Sequence, residues 1–192
     1  DTRRIRTWEV AGTSHADAYL IVLTAGAEDL GTSPDIVAPI ISAAPIPGVV
    51  VCGKPVNSGP QHFVLNAAFA ALNHWVRRGT IPHAAPPLDV AAGPPVTIMT
   101  DAHGNALGGI RTPQLDVPIA TFTGQQPGAI LCQLLGTTTL FDAATLASLY
   151  PDHDAFVAGY RKSLKRAVRQ GFLLRPDAKL ILTWAKGASI PP

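Results

Sequence analysis

Apolar residues recur at helical spacing after the short segment 57–60, Asn-Ser-Gly-Pro. This segment is typical of a helix start, because a capping side chain precedes a proline in the first turn. Gly79 then supplies a residue that favours the end of a helix. The pattern predicts a long amphipathic helix between these points, with one apolar face. That face is formed by Phe63, Val64, Ala67, Ala68, Ala71, Leu72, Trp75 and Val76.

A second long helix is predicted from about His153 to Gln170, with Gly171 closing it. A shorter helix, capped by Phe141-Asp142, precedes it and ends at Tyr150. The apolar stripe of the long helix is Phe156, Val157, Tyr160, Leu164, Ala167 and Val168, and its other side carries Arg161, Lys162, Lys165, Arg166 and Arg169. We interpret the basic side as a solvated face rather than a surface for anions or membranes, since charge runs usually face solvent.

Shorter apolar runs indicate extended segments. Residues 5–10 read as a strand that breaks at Gly12, and residues 96–100 read as a strand that runs into a turn at 101–105. Residues 117–122 form a further extended segment, with Pro118 at a strand start or edge. The run 18–23 fits either a short helix or a buried strand, because periodicity does not separate the two over six residues.

Prolines divide the rest of the chain. Six of them make residues 31–60 rich in loops, with at most a short extended piece at 46–52. Residues 81–95 hold five more and are predicted to form an extended connector.

Composition narrows the classes of protein. With 192 residues, of which 47% are hydrophobic, the chain can bury a core as one globular unit or as a large part of a bigger one. A net charge of +2 is too small to indicate nucleic-acid binding. No apolar run approaches the 18 or so residues of a membrane span. The chain begins at Asp1 without a methionine or a signal peptide, so we expect a processed, truncated or incomplete chain.

The candidate for chemistry is His15, which follows the first predicted strand and Gly12. A histidine titrates near neutral pH, so it can accept a proton from a serine hydroxyl and return it to a leaving group. The alternative is a surface or hydrogen-bonded structural histidine. Ser14 is expected to stabilise the turn, because neighbouring side chains diverge. Asp17 is expected to cap the following helix or to steady the histidine loop.

Other polar residues are assigned structural roles. Gln61 and His62 open the long helix and are expected to act there, with an approach to His15 as the alternative. Asp101 and Asp116 are expected to serve in turns, and Arg111 to form an internal ion pair rather than to bind a substrate carboxylate. A metal ion could in principle be bound by His15 and Asp17 together with His62 or His103. We expect no metal and no cofactor, because no His/Cys spacing resembles a closed zinc site.

Five segments resemble a group of bacterial α/β-hydrolase-domain proteins common in actinobacteria, and more distantly tannases and feruloyl esterases. They are residues 6–17 (Arg-Thr-Trp-Glu-Val-Ala-Gly-Thr-Ser-His-Ala-Asp), 57–62 (Asn-Ser-Gly-Pro-Gln-His), 75–79 (Trp-Val-Arg-Arg-Gly), 104–113 (Gly-Asn-Ala-Leu-Gly-Gly-Ile-Arg-Thr-Pro) and 149–151 (Leu-Tyr-Pro). The resemblance implies an α/β fold, the C-terminal part of an α/β-hydrolase with an added subdomain of small β elements and helices. Residues 1–80 would supply the last strand, the histidine loop and the closing helix, and residues 81–192 the proline-rich connector and accessory subdomain.

The resemblance also implies a function. His15 matches the family's triad histidine, the general base of a serine hydrolase that acts on small-molecule carboxylic esters. In such proteins the serine and the acid come earlier in the chain, and no Gly-x-Ser-x-Gly occurs here. We therefore expect the N-terminal part of the same protein, or a second chain, to complete the site, and this chain alone to be inactive. The alternative is a non-catalytic accessory or oligomerisation module of a larger protein.

Members of this group are frequently exported, which implies a secreted or cell-envelope location. An exported protein can also form disulfides, and the only two cysteines are Cys52 and Cys132. The alternatives are therefore a bond between them or two separate buried thiols.

Overall fold

The computed structural model describes residues 1–24, 37–44, 48 and 50–192, with side chains not described at 22–24. Within these residues the chain forms seven helices and four short strands. In order they are α1 (Ala18–Thr24), α2 (Gln61–Arg78), β1 (Val90–Ala91), β2 (Thr97–Ile98), α3 (Pro113–Asp116), β3 (Ala120–Thr123), α4 (Ile130–Leu135), β4 (Thr137–Leu140), α5 (Ala143–Leu149), α6 (His153–Arg169) and α7 (Arg175–Gly187).

The ambiguous run at 18–23 is a helix, α1. Its first turn is capped by Asp17, whose Oδ1 accepts a hydrogen bond of 2.8 Å from the backbone N–H of Leu20. This bond satisfies a helix N–H that has no partner within the helix. The predicted capping role of Asp17 is therefore confirmed.

The long helix α2 is confirmed, and its end follows the prediction. Gly79 adopts a left-handed conformation with φ 69° and donates its N–H to the carbonyl of Trp75. The predicted cap is wrong, because no side chain caps the start of α2. The predicted apolar face is only partly buried: its first residues Phe63, Val64 and Ala67 are enclosed, whereas Leu72 is 50% and Val76 78% exposed.

The predicted strand at 5–10 is wrong. Only Val10 pairs, in a single parallel bridge to Ile110. Side chains hold the rest of this segment against the proline-rich connector, where Arg6 donates to the carbonyl of Pro82 and Trp8 to that of His83. Apolar alternation alone does not make a strand where no other strand runs alongside it.

The strands form two separate antiparallel pairs. In the first, β1 pairs with β2 in the register Val90 to Ile98, so the predicted strand at 96–100 is shortened to two residues. In the second, β3 pairs with β4 from Ala120 to Leu140, which gives the extended segment 117–122 a partner that the sequence did not indicate. The turn after β2 is confirmed.

The helices α5 and α6 are confirmed, as is the cap of α5 at Asp142, whereas the cap of α6 was not predicted. Asp142 accepts from Thr145 N–H at the start of α5, and Asp152 accepts from Ala155 N–H at the start of α6. The apolar stripe of α6 packs on α7 in the largest hydrophobic cluster. Val37 and Phe63 join that cluster, so side chains from both predicted domains share it. The division at residue 80 stays a prediction.

A second cluster encloses a disulfide between Cys52 and Cys132, so the bridge is the alternative that forms, of the two that the sequence left open. Its other members are Ala18, Ile21, Val50, Val56 and Leu135. The predicted extended piece at 46–52 lies partly outside the described residues, since 46, 47 and 49 are not among them. Over the described part of the chain, no helix is long and apolar enough to cross a membrane.

Candidate functional site

The loop that carries His15 begins with a glycine that the left-handed backbone conformation favours. Gly12 has φ +71°, and a Cβ there would lie 2.7 Å from the side chain of Leu115. A residue with a side chain would meet both backbone strain and a collision at this position. Thr13 then donates to the carbonyl of Val10, and Ser14 to that of Ala16, so the predicted turn role of Ser14 is confirmed.

The backbone of His15 is fixed on both sides. Its N–H donates to the carbonyl of Leu134 in α4 at 3.1 Å, and its own carbonyl accepts from the Gln61 side chain of α2 at 3.4 Å. The imidazole ring is exposed. Among the described residues it has no hydrogen bond to a serine and no carboxylate within 4.0 Å. The ring is thus anchored through its backbone and remains available to a group from elsewhere.

His15 lines an open cavity of about 670 Å³, a size within the range of small-molecule sites. Sequence reasoning did not identify the other walls, which come from the connector, the two strand pairs and α4. Their side chains are apolar or carry neutral polar groups. The lining residues are Val10, Gly12, Thr13, Ser14, His15, Leu88, Val96, Thr97, Ile98, Thr100, Gly104, Ala106, Phe122, Thr123, Gly124, Gln125, Gln133 and Leu134.

Beside this loop, a buried aspartate faces a partly buried histidine, a contact that the sequence did not predict. His62 Nδ1 is 3.7 Å from Asp17 Oδ2, and the His62 ring stacks on Tyr19 with centroids 4.2 Å apart. Neither ring nitrogen of His62 nor Oδ2 of Asp17 has a hydrogen-bond partner within the described chain. No sequence signal marked the pair, because 45 residues separate its members. Together with the Gln61 bond, it joins the start of α2 to the histidine loop, in agreement with the structural role expected there.

Asp177 of α7 lies near the same helix. Burial raises the pKa of its carboxyl above the ordinary value, and the amide of Asn66 and the charge of His62 oppose this effect. The Asn66 Nδ2 atom donates to Asp177 at 3.4 Å.

Arg111 forms the internal ion pairs that the sequence predicted. It contacts Asp116 at 3.2 Å and Asp101 at 3.5 Å, and donates to the carbonyls of Leu115 and Ala106. The turn role expected for Asp116 is wrong. That carboxylate ends the short helix α3 and also accepts from the side chains of Ser163 and Arg166 on α6.

Asp101 has the predicted turn role. Its Oδ1 accepts from the backbone N–H groups of His103 and Asn105. The His103 ring packs against Phe141 with centroids 5.3 Å apart. In the described ranges, no three His, Cys, Asp or Glu side chains come together as a metal site would require.

Comparison with known proteins identifies one family. The family described as alpha/beta hydrolase domain matches residues 1–183. No curated protein and no solved structure matches the chain.

Proposed function

The chain belongs to the alpha/beta hydrolase domain family, and we propose that it is part of a serine hydrolase that acts on carboxylic esters, with His15 as the general base. The family supports a function of the hydrolase type. The observation that carries the finer proposal is the placement of His15: a ring exposed in a cavity of about 670 Å³, on a backbone held by α4 and α2.

In this role the imidazole of His15 accepts the proton of a serine hydroxyl as the serine oxygen attacks the ester carbonyl. The same proton passes to the departing alcohol when the tetrahedral intermediate collapses, which leaves an acyl-serine. A water molecule then gives its proton to His15 and attacks the acyl group. As this second intermediate collapses, His15 returns the proton to the serine oxygen, which releases the acid and restores the serine and the neutral imidazole. A fixed backbone supports each transfer, because the ring must lie within hydrogen-bond reach of both partners.

We propose that the serine, the orienting acid and the oxyanion donors come from the N-terminal part of the same protein or from a second chain. The contacts of two side chains within the described chain support this. The hydroxyl of Ser14 is engaged with the Ala16 carbonyl, and the carboxylate of Asp17 caps α1 and faces His62 rather than His15.

The test is His15→Ala in the complete protein, assayed with a p-nitrophenyl ester. The variant removes the base at an exposed position, so kcat is expected to fall by several orders of magnitude while the unfolding temperature stays unchanged. The matched control is His74→Ala, which changes an exposed histidine of α2 and should leave turnover intact. Turnover of the His15 variant within a few-fold of wild type would favour a non-catalytic module instead.

The origin of the nucleophile is tested on residues 1–192 alone. A histidine without a serine nucleophile beside it catalyses ester hydrolysis only weakly. We therefore expect neither p-nitrophenyl ester turnover nor labelling by a fluorophosphonate probe. Labelling of a serine within this chain, with turnover lost when that serine is replaced, would show that the site is self-contained.

A further inference from the structure

A second cavity, of about 520 Å³, lies between α6 and α7 and shares no lining residue with the cavity at His15. We refer to it as the α6–α7 groove. Five of its lining side chains are cationic and four are apolar. The cations are Arg161, Lys165, Arg169, Arg175 and Lys179, and the apolar residues are Leu164, Val168, Ala178 and Leu182.

The five cations of the groove have no acidic partners. In the part of the chain that the structure describes, none of them forms an ion pair within 4.0 Å or a side-chain hydrogen bond. Arg166, on another side of α6, differs, because it pairs with Asp116. The one acid of α7, Asp177, interacts with Asn66 instead. The positive charge of the groove is therefore not neutralised by the described chain.

Helix energetics opposes most of this arrangement, although Arg169 lies in the last turn of α6, where the helix dipole favours a cation. Arg161, Lys165 and Arg169 follow one another at i, i+4 spacing, at which like charges repel. Arg175 stands at the N-terminus of α7, where the helix dipole disfavours a cation. A bound anion would offset both costs.

The apolar residues give the groove a floor. Leu164 is only 4% exposed, and Val168, Ala178 and Leu182 are partly buried, whereas all five cations are exposed. A flat bilayer surface would meet the charged rim before it reached this floor. A single alkyl chain can enter, and the methylene stems of the Arg and Lys side chains can cover it.

From these observations we propose that the α6–α7 groove binds a monomeric fatty-acid anion, with its carboxylate at the cationic rim and its alkyl chain on the apolar floor. Arginine suits the carboxylate, because its planar guanidinium can donate two parallel hydrogen bonds. The alkyl chain of the fatty acid adds to the binding free energy, because it leaves water for an apolar surface.

The test is calorimetric titration of residues 1–192 with dodecanoate below its micellar concentration. We expect saturable binding of one molecule per chain. Acetate has the charge without the chain and dodecyl maltoside the chain without the charge, so each should bind at least tenfold more weakly. Raising the salt concentration should also weaken dodecanoate binding, because exposed charges are screened.

Two matched variants locate the site. Arg161→Gln/Lys165→Gln/Arg169→Gln removes three cations of the groove and should weaken dodecanoate binding at least tenfold. Arg77→Gln/Arg78→Gln/Lys162→Gln removes two arginines and one lysine outside the groove, at exposed positions, and should leave binding unchanged. A third variant, Ala178→Trp, fills the groove while keeping every cation and should abolish binding. Unfolding temperatures establish that each variant is folded.

Three results would overturn the proposal. One is equal binding by the two triple variants, and another is acetate binding as tight as dodecanoate binding. The third is that monomeric dodecanoate does not bind, whereas the wild-type protein sediments with phosphatidylglycerol vesicles and Arg161→Gln/Lys165→Gln/Arg169→Gln does not. That result would make this face a membrane surface.

Discussion

At the scale of single residues, Asn57 connects three distant parts of the chain. It is fully buried, and its Nδ2 donates to the carbonyls of Gly12 and Thr123 while its Oδ1 accepts from the N–H of Gly59. The amide thus joins the histidine loop, β3 and the segment that leads into α2. A buried carbonyl or N–H that loses its partner carries its desolvation cost in full.

We therefore expect Asn57→Ala to lower the free energy of unfolding by about 2 to 3 kcal/mol. Chemical denaturation monitored by circular dichroism measures it. Asn73→Ala, an exposed change on α2, serves as the control and should stay within about 0.5 kcal/mol of wild type. Equal stability of the two variants would mean that water replaces the Asn57 amide without cost.

The residue roles that could be predicted from the sequence are those with partners close by in the chain. Ser14, Asp17 and Asp101 each bond to a backbone group two to four residues away, and residue type and position suffice to identify such contacts. The roles of Asn57 and of the pair His62 and Asp17 depend on partners 45 or more residues distant. A single sequence gives no signal for these.

At the scale of elements, apolar periodicity and a closing glycine predicted α2 and α6, and the cap at Asp142 predicted α5. The missed elements differ in their signals. β4 reads Thr-Thr-Thr-Leu, and its burial does not alternate along the strand. α7 has no side-chain cap at Leu174, but it carries start signals that the prediction overlooked, a proline in its first turn followed by Asp177. Residues 5–10 have the apolar pattern of a strand, but only Val10 pairs with another segment. Whether a strand forms depends on neighbouring segments that its own residues do not specify.

The cap of α5 gives a prediction about pH. The backbone N–H of Thr145, with its side chain in second place, lowers the pKa of Asp142 below the ordinary value of 3.8. The ionised cap is favoured in the folded state, so its contribution is fully present above pH 3.8 and is lost as the pH falls through the lower folded value.

The stability difference between wild type and Asp142→Ala should accordingly be constant from about pH 5 to 7 and shrink below pH 3.8. Unfolding curves at several pH values measure it. Asp142→Asn retains a capping oxygen that does not titrate, so it should be closer to wild type near pH 7. A difference that grows as the pH falls would contradict this account of the cap.

At the scale of the whole molecule, the histidine loop depends on α4. The carbonyl of Leu134 holds the N–H of His15, and the carbonyl of Leu135 holds that of Asn57. Yet α4 is poorly buried, since Ile130 is 75% and Leu131 51% exposed. Apolar packing alone therefore stabilises this helix only to a limited extent. The disulfide from Cys132 to Cys52 adds a covalent link.

Removal of this bond should affect the molecule as a whole. The disulfide closes a loop across a separation of 80 residues, and in the chain-entropy model such a closure stabilises the folded state by about 4 kcal/mol. We expect Cys52→Ser/Cys132→Ser to lose about that much in the free energy of unfolding.

Intact mass after alkylation, with and without reduction, provides the control, because the oxidised protein should take up no alkyl group when unfolded. Two alkyl groups on the unreduced protein would show that the bond is absent. Equal stability of the variant and wild type would instead show that the remaining contacts of α4 suffice to hold the histidine loop.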